Sequence, residues 1–406
     1  MAAQPMQESV RMPSFLYNLQ RVLRDNMRDY GMFIALFVIM YYFNLRTDGV
    51  FLSPRNVTNL FNQTGYIAVL AVGMTLVIVI RHIDLSVGFL AGFLGAVSAI
   101  ALSFWGLPVY VVIPMVLLLG TLAGLLTALP VAQLGIPSFV SSLAGWLIYR
   151  GFLQQSTEGT GTIIISDEAF NAIGNGFIPD LPIGPIIEGY HTLTLLLGAL
   201  AILWFIISSI RTRREQLSYN FEVIPTYLFV LKLIFISLLV GAVTTIMAGY
   251  QGMPWTVLIV IIVVGVYHFV TTQTVLGRHI YAVGGNPEAA ELSGISVKRI
   301  IYVVFGSMGM LSALSGILFA SRLTSASTTA GALFELDAIA AAYVGGVSAA
   351  GGVGRVTGSI IGALVMTSLI NGMNLMGVGI SYQYIVRGAV LALAVIFDVM
   401  ARRASR

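Results

Sequence analysis

Two short acidic stretches inside apolar sequence hold the side chains best able to do chemistry. Asp84 and Ser86 lie in IDLSVG (83–88), and Glu335 and Asp337 lie in FELDAIAA (334–341). A charge is costly in hydrocarbon, so such groups line a cavity or a helix end and do not face lipid. They are candidate polar groups of a translocation pathway, with Asn371 and Asn374 as lesser candidates. For Asp84 and Asp337 the competing role is helix capping. For Asn371 and Asn374 it is hydrogen bonding between helices, which is the favoured role there.

A polar island at 276–299, LGRHIYAVGGNPEAAELSGISVKR, carries a different signal. Asn286 is a candidate N-cap, Pro287 fits the first helical position, and Glu288 suits the positive end of the helix dipole. Gly284 and Gly285 are expected to make a sharp turn through positive φ. The run continues through Ala289, Ala290, Glu291 and Leu292 as a short amphipathic helix that stops at Gly294. A capped helix between two spans, on the Lys/Arg-rich side, is shaped to dock a soluble partner.

Other chemistry is missing. With no cysteine, disulfides and thiol metal sites are ruled out. Only two lysines occur, Lys232 and Lys298, and neither follows a glycine, so no GxxxxGK[ST] phosphate loop exists and no cofactor is expected on this chain. His82, His191, His268 and His279 are scattered, with no HExxH, and no metal site is expected. No GxSxG elbow is present. Gly354, Gly358 and Gly362 recur every four residues, the close-packing stripe of membrane helices. The four tryptophans (Trp105, Trp146, Trp204 and Trp255) read as interface or packing residues.

The elements that must position these groups are membrane helices. The chain is 57% hydrophobic and 9% charged, with 43 glycines, whereas soluble domains carry roughly a quarter charged residues. Mean hydropathy is +0.92. Apolar runs are continuous and do not alternate, which excludes a β-barrel. The fold class is therefore all-α: a polytopic membrane protein of about ten to twelve transmembrane helices. Segments are expected at 30–45, 61–80, 85–104, 109–129, 139–153, 191–210, 227–248, 254–271, 300–320, 338–350, 356–370 and 384–400. Residues 1–29 form a tail without a cleavable signal, expected as an amphipathic surface helix, and 30–406 form the membrane domain.

Loop 154–190 contains five acids and no Lys or Arg, while 211–214, 273–299 and both termini are basic. The positive-inside rule places both termini and the 273–299 loop in the cytoplasm, and the acidic loop outside. The net charge of +4 belongs to these loops and gives no reason to expect nucleic-acid binding. A weak internal repeat joins the halves: 83–96 and 334–354 each combine Asp and Leu with small, glycine-rich sequence. Glycine-interrupted segments at matching places in two halves point to a translocation path.

Longer stretches then carry a resemblance. TDGVFLSPRNVTNLFNQTGYIAVLAVGMTLVIV, IDLSVG and PSFVSSLAGWLIYRG resemble the permeases of bacterial ABC sugar importers, ribose/xylose branch. So do GRHIYAVGGNPEAAELSGISV, ELDAIAAAYVGG, AGGVGRVTGSIIGALVMTSLINGMNLM and YQYIVRGAVLALAV, and the likeness covers nearly all of 47–400. Xylose or multiple-monosaccharide permeases are the nearest subgroup. The resemblance implies a homodimeric, multi-pass permease of the inner membrane, in a lipid bilayer. It would be served by a periplasmic sugar-binding protein and driven by a cytoplasmic ABC ATPase that uses the ATP. It also implies that Gly284 to Ser293 is the element contacting that ATPase. Two places depart from the family: Arg81 and His82 precede IDLSVG, and GGVSAAGG (345–352) replaces GGTSLxGG. The alternatives are a same-fold importer of branched-chain amino acids, nucleosides or a signalling sugar, an ion-coupled secondary transporter, and a membrane enzyme.

Overall fold

The computed structural model describes residues 27–182, 187–221 and 223–404. The amphipathic helix expected in the 1–29 tail lies outside them, except for 27–29, which open the first helix. In chain order the helices are α1 (Met27–Arg46), α2 (Pro54–Val79), α3 (Val87–Ser103), α4 (Val109–Leu134) and α5 (Ser138–Thr157). Strand β1 (Thr162–Ile164) and α6 (Glu168–Asn175) follow, then α7 (Thr192–Ser218), α8 (Thr226–Ala248) and α9 (Trp255–Gln273). Next come α10 (Val275–Gly285), α11 (Pro287–Leu292), α12 (Val297–Leu323) and β2 (Ser325–Ser327). The last three helices are α13 (Phe334–Val344), α14 (Val356–Leu375) and α15 (Ile380–Ala404).

Among the described residues eight helices are long and apolar enough to cross a membrane: α2, α4, α7, α8, α9, α12, α14 and α15. Two shorter apolar helices, Gly31–Arg46 and Val87–Ser103, bring the number to ten. The bundle has a centre and a rim. The apolar stretch of α2 is 89% buried within the chain, whereas that of α8 is 0% buried. Helices α2, α12 and α14 carry Ser, Thr and Asn on faces that meet protein. Small and polar residues pack helices where lipid gives no hydrophobic drive between them. Ser315 Oγ donates to the Tyr66 carbonyl at 2.9 Å, and Thr64 and Thr367 hydroxyls lie 2.6 Å apart. Close backbone contacts do the rest: a side chain at Gly358 or Gly362 of α14 would strike the carbonyls of Gly345 and Ala341.

Two of the central helices begin inside the bundle and run in opposite directions, α3 with 17 residues and α13 with 11. Chain 80–86 leaves the end of α2 without regular helix, and α3 starts only at Val87. Helix α13, 11 residues or about 16 Å long, begins beside Tyr66, near the midpoint of α2, where the Tyr66 and Phe334 rings stack at 4.9 Å. The segment before α13 crosses the first turns of α3, where Gly331 and Ala330 meet Gly88 and Gly92 backbone to backbone. From this crossing α3 runs toward the acidic loop, and Ser103 Oγ reaches the Ile164 carbonyl at 2.9 Å. Helix α13 runs the other way, into a loop whose Gly352 N–H donates to the Val79 carbonyl at 2.8 Å.

Several boundaries differ from the sequence expectation for local reasons. Helix α2 starts inside the expected polar link, because Ser53 accepts from Asn56 N–H at 3.4 Å with Pro54 at the first position. Helix α7 continues through Arg211–Arg214, since Arg is a good helix former. The segment expected at 338–350 is the half-helix α13 followed by a loop with positive φ at Gly346, Gly351 and Gly352. The 154–190 loop contains structure of its own. Its β1 pairs antiparallel with β2, Ile163 opposite Ala326, and Asp167 caps α6 by accepting from Phe170 N–H at 2.8 Å.

Candidate functional site

The facing N-termini of α3 and α13 bring together the four acidic and hydroxyl groups. Asp84 is 2% exposed, Ser86 0%, Glu335 4% and Asp337 4%. Asp84 Oδ1 accepts from Ser86 N–H at 2.9 Å and Ser86 Oγ at 2.6 Å, so it closes the turn that starts α3. Ser86 itself occupies the N-cap position of α3, without a side-chain cap bond. Glu335 Oε1 accepts from Trp146 Nε1 of α5 at 3.0 Å, and its other oxygen is buried without a hydrogen-bond partner. Gly88 is required there, since a side chain would run into the Glu335 carboxylate. Asp337, two residues on and so near the other side of the helix, faces Arg387 of α15 at 3.6 Å.

Toward the acidic side, α2, α12 and α14 enclose a cavity of about 440 Å³. Asn56, Asn59, Gln63 and Tyr66 line it from α2 at helical spacing. Arg322, which donates to Asn59 Oδ1 at 2.8 Å, and Phe319 come from α12, and Asn371 and Asn374 from α14. Asn56 and Asn371 exchange amide hydrogen bonds at 3.0 and 3.2 Å. Asn371 therefore joins two helices and forms wall at once. Asn374 is exposed and accepts from Gln383 Nε2 at 2.8 Å. The lesser pair thus reaches the cavity, while the three acids and Ser86 do not line it. The α2 residues were not foreseen, although Asn56, Asn59, Gln63 and Tyr66 recur every three or four positions and could have been read as a polar helix face. A second recess of about 500 Å³, sharing Asn56 and Asn59, widens the opening past Thr58, Asn62 and Gln251.

The opposite face carries α11. Asn286 Oδ1 accepts from Ala289 N–H at 3.1 Å, Ala290 anchors the helix at 5% exposure, and Leu292 stands 91% exposed. Glu288 and Glu291 also face out. Gly284 and Gly285 do not make the expected turn; they end α10, a helix not foreseen within the 273–299 loop, and neither has positive φ. Gly284 serves close approach: a side chain there would strike the Val79 carbonyl. Gly354 likewise leaves the expected helix stripe. It precedes α14, and its carbonyl accepts from Tyr281 Oη at 2.6 Å. Among the described residues no cluster of three or more His, Asp or Glu could hold a metal ion.

Broken helices meeting at mid-depth, a polar cavity on one face and a capped surface helix on the other make a membrane transport permease. The chain belongs to the branched-chain amino acid transport system / permease component family, whose model matches residues 56–395. It is 39% identical over 373 residues to the xylose transport system permease protein XylH of Haemophilus influenzae, covering 92% of this chain and 96% of that protein. Its identity to XylH of Escherichia coli K12 is 39% over 380 residues, 94% of each chain. To the ribose import permease protein RbsC of E. coli K12 it is 35% over 367 residues, 90% of this chain and 92% of that one. No solved structure matches the chain. It is a multi-pass protein of the inner membrane.

Proposed function

We propose that the chain is the transmembrane subunit of an ATP-driven importer for a monosaccharide, a xylose-like pentose or a hexose. The carrying observation is the amide-lined cavity between α2, α12 and α14. Its Asn and Gln amides beside the Tyr66 and Phe319 rings, with Arg322 as the one charged lining group, suit a polyhydroxylated ligand. A zwitterionic amino acid would need an acid for its ammonium, and no lining residue is acidic. The likeness to XylH and RbsC supports a sugar.

In this reading a periplasmic binding protein delivers sugar to the cavity face, and both termini and α11 are cytoplasmic. Two copies form the working dimer. A separate ATPase binds the ATP, since this chain offers no phosphate loop. Its closure pushes the Gly284–Leu292 region and switches access past the α3/α13 crossing from outside to inside. The test is ATP-dependent uptake of xylose, glucose and galactose in proteoliposomes, with permease, ATPase and binding protein supplied singly and together. Uptake only with all three is expected; uptake by the permease alone on an ion gradient overturns the reading.

A further inference from the structure

Arg81 departs from the family pattern and has no place in the pathway or in the docking helix. Its position in the fold gives it one. It stands between the end of α2 and the unwound chain that climbs to Asp84, in the left-handed region with φ 66°. A non-glycine residue pays for that conformation in strain and keeps it only where the surroundings enforce it. The enforcing contacts are visible. Arg81 Nε donates to the Gly284 carbonyl at 2.7 Å, and its Nη2 donates to the next carbonyl, Gly285. One planar fork thus holds two successive carbonyls at the end of α10, directly before the N-cap of α11.

A third segment meets the same point. Gly352 N–H donates to the Val79 carbonyl, and Gly351 and Gly352 pack against Arg81 Cγ and the Gly284–Gly285 backbone. That loop follows α13, which carries Glu335 and Asp337. The same loop is tied to α15 through Ala349 N–H, which donates to Asp398 Oδ2 at 3.1 Å. The corner before the surface helix therefore meets, at one junction of backbone and guanidinium, the segment that leads to α3 and the loop that follows α13. The Asp84 arm is tied to α5, where Ile83 N–H donates to Ser138 Oγ at 3.1 Å, and Arg81 is the side chain that ties its start to the α10–α11 corner; the α13 arm meets that corner by bare backbone contact. No side chain fits at Gly284 without striking the Val79 carbonyl, so the junction has little slack.

We infer that Arg81 is a positioning residue that clamps the α10–α11 corner to the Asp84 segment, so that movement of the docking helix is passed to the α3/α13 crossing. A contiguous set of packed and hydrogen-bonded groups is the physical route such coupling takes. The inference rests on the importer reading above. Arg81 reaches no substrate, and it acts by making two ends move together.

The experiment uses the complete importer in proteoliposomes, with Arg81→Asn and Arg81→Lys. Asparagine tolerates positive φ, so the first variant removes the clamp while sparing the backbone. Binding of the ATPase to the permease, ATP hydrolysis and sugar uptake are measured together. In Arg81→Asn the ATPase stays bound and still hydrolyses ATP. The sugar moved per ATP falls about tenfold, within the range for mutations along a coupling network. Arg81→Lys, whose ammonium cannot fork onto two carbonyls, gives an intermediate ratio. An unchanged ratio in Arg81→Asn overturns the inference. Should that variant fail to assemble, an unchanged ratio in Arg81→Lys overturns it equally. A wild-type importer that moves no sugar with all three components would instead refute the importer reading, so the two failures are distinct.

Discussion

At the residue scale the acidic groups are satisfied unequally, and that inequality orders the expected effects. Glu335 holds Trp146 through one oxygen. Glu335→Gln keeps an acceptor for that indole, so the protein should fold with little loss. Glu335→Ala strands the indole N–H and should cost about 1–3 kcal/mol, the usual penalty for an orphaned buried donor. Thermal unfolding of purified permease compares the two, and equal melting temperatures would remove the bond from the account. Asp337 and Arg387 face each other with side chains 6% and 21% exposed. Removing either partner of a buried pair strands a charge, at about 3–5 kcal/mol when burial is complete, and less here because Arg387 is partly open. The double variant Asp337→Asn with Arg387→Met should therefore be more stable than Asp337→Asn alone, and a double-mutant cycle measures the coupling. Asp180, in the acidic loop, is a third case. Backbone N–H groups of Leu193, Thr192 and Leu181, with His191 beside it, hold its carboxyl below the usual carboxylate range. A lowered folded pKa gives stability that is present above the unfolded value, near 3.8, and lost as pH falls through the folded one. Asp180→Asn should flatten the acid limb of an unfolding curve and leave neutral pH nearly unchanged.

At the scale of elements, α11 and α14 make opposite demands on their small residues. Helix α11 must stand out from the surface: its cap is Asn286, its anchor is Ala290, and Leu292 is left bare. Glu288→Lys puts a positive charge at the positive end of this helix and reverses the charge of its exposed face. It should abolish uptake while the permease still inserts; normal uptake with the ATPase docked would remove α11 from the coupling role. Helix α14 must instead come close. Gly362→Val should cost about 1–3 kcal/mol by overpacking, read as a lowered melting temperature. The cap, the short helix and the apolar spans were legible because proline position, amide side chains and hydropathy are local signals. What was not legible is instructive. The IDLSVG and FELDAIAA stretches were readable as polar points in apolar sequence, but an apolar run reads the same whether it crosses as helix or climbs unwound. That α3 and α13 begin at mid-depth is a property of packing against Tyr66 and Gly331. Gly284 and Gly285 announced a special backbone position, but sequence alone does not separate positive φ from close approach, and here the second is the cause. The polar stripe of α2 was open to a helical count and was passed over because half of it sat in an expected link.

At the scale of the whole molecule, the cavity and the surface helix α11 lie at opposite ends of one central pair, α2 and α12, and the α3/α13 crossing lies between them. A bundle built this way can expose the crossing to one face at a time if α3 and α13 tilt together, since they share the α10–α11 corner through Val79, Arg81 and Gly352. In the present state the cavity opens to the acidic face, where Asn374 is exposed and Ser86 is wholly buried. The chain has no cysteine, so single reporters can be introduced without a background. Asn374→Cys should react with a membrane-impermeant thiol reagent added on that face when the assembled importer is free of nucleotide. On the proposed importer cycle, trapping the ATPase with ATP and vanadate should slow the reaction by turning access away from that face. Trp105→Cys, in the turn after α3 on the acidic-loop face at a position 60% exposed, should react at one rate in both states and controls for reagent access. Equal rates at Asn374→Cys in the two states would mean that the cavity stays open while the ATPase cycles. Access would then be switched entirely at the α3/α13 crossing, and the amide-lined wall would be a fixed funnel above a moving gate.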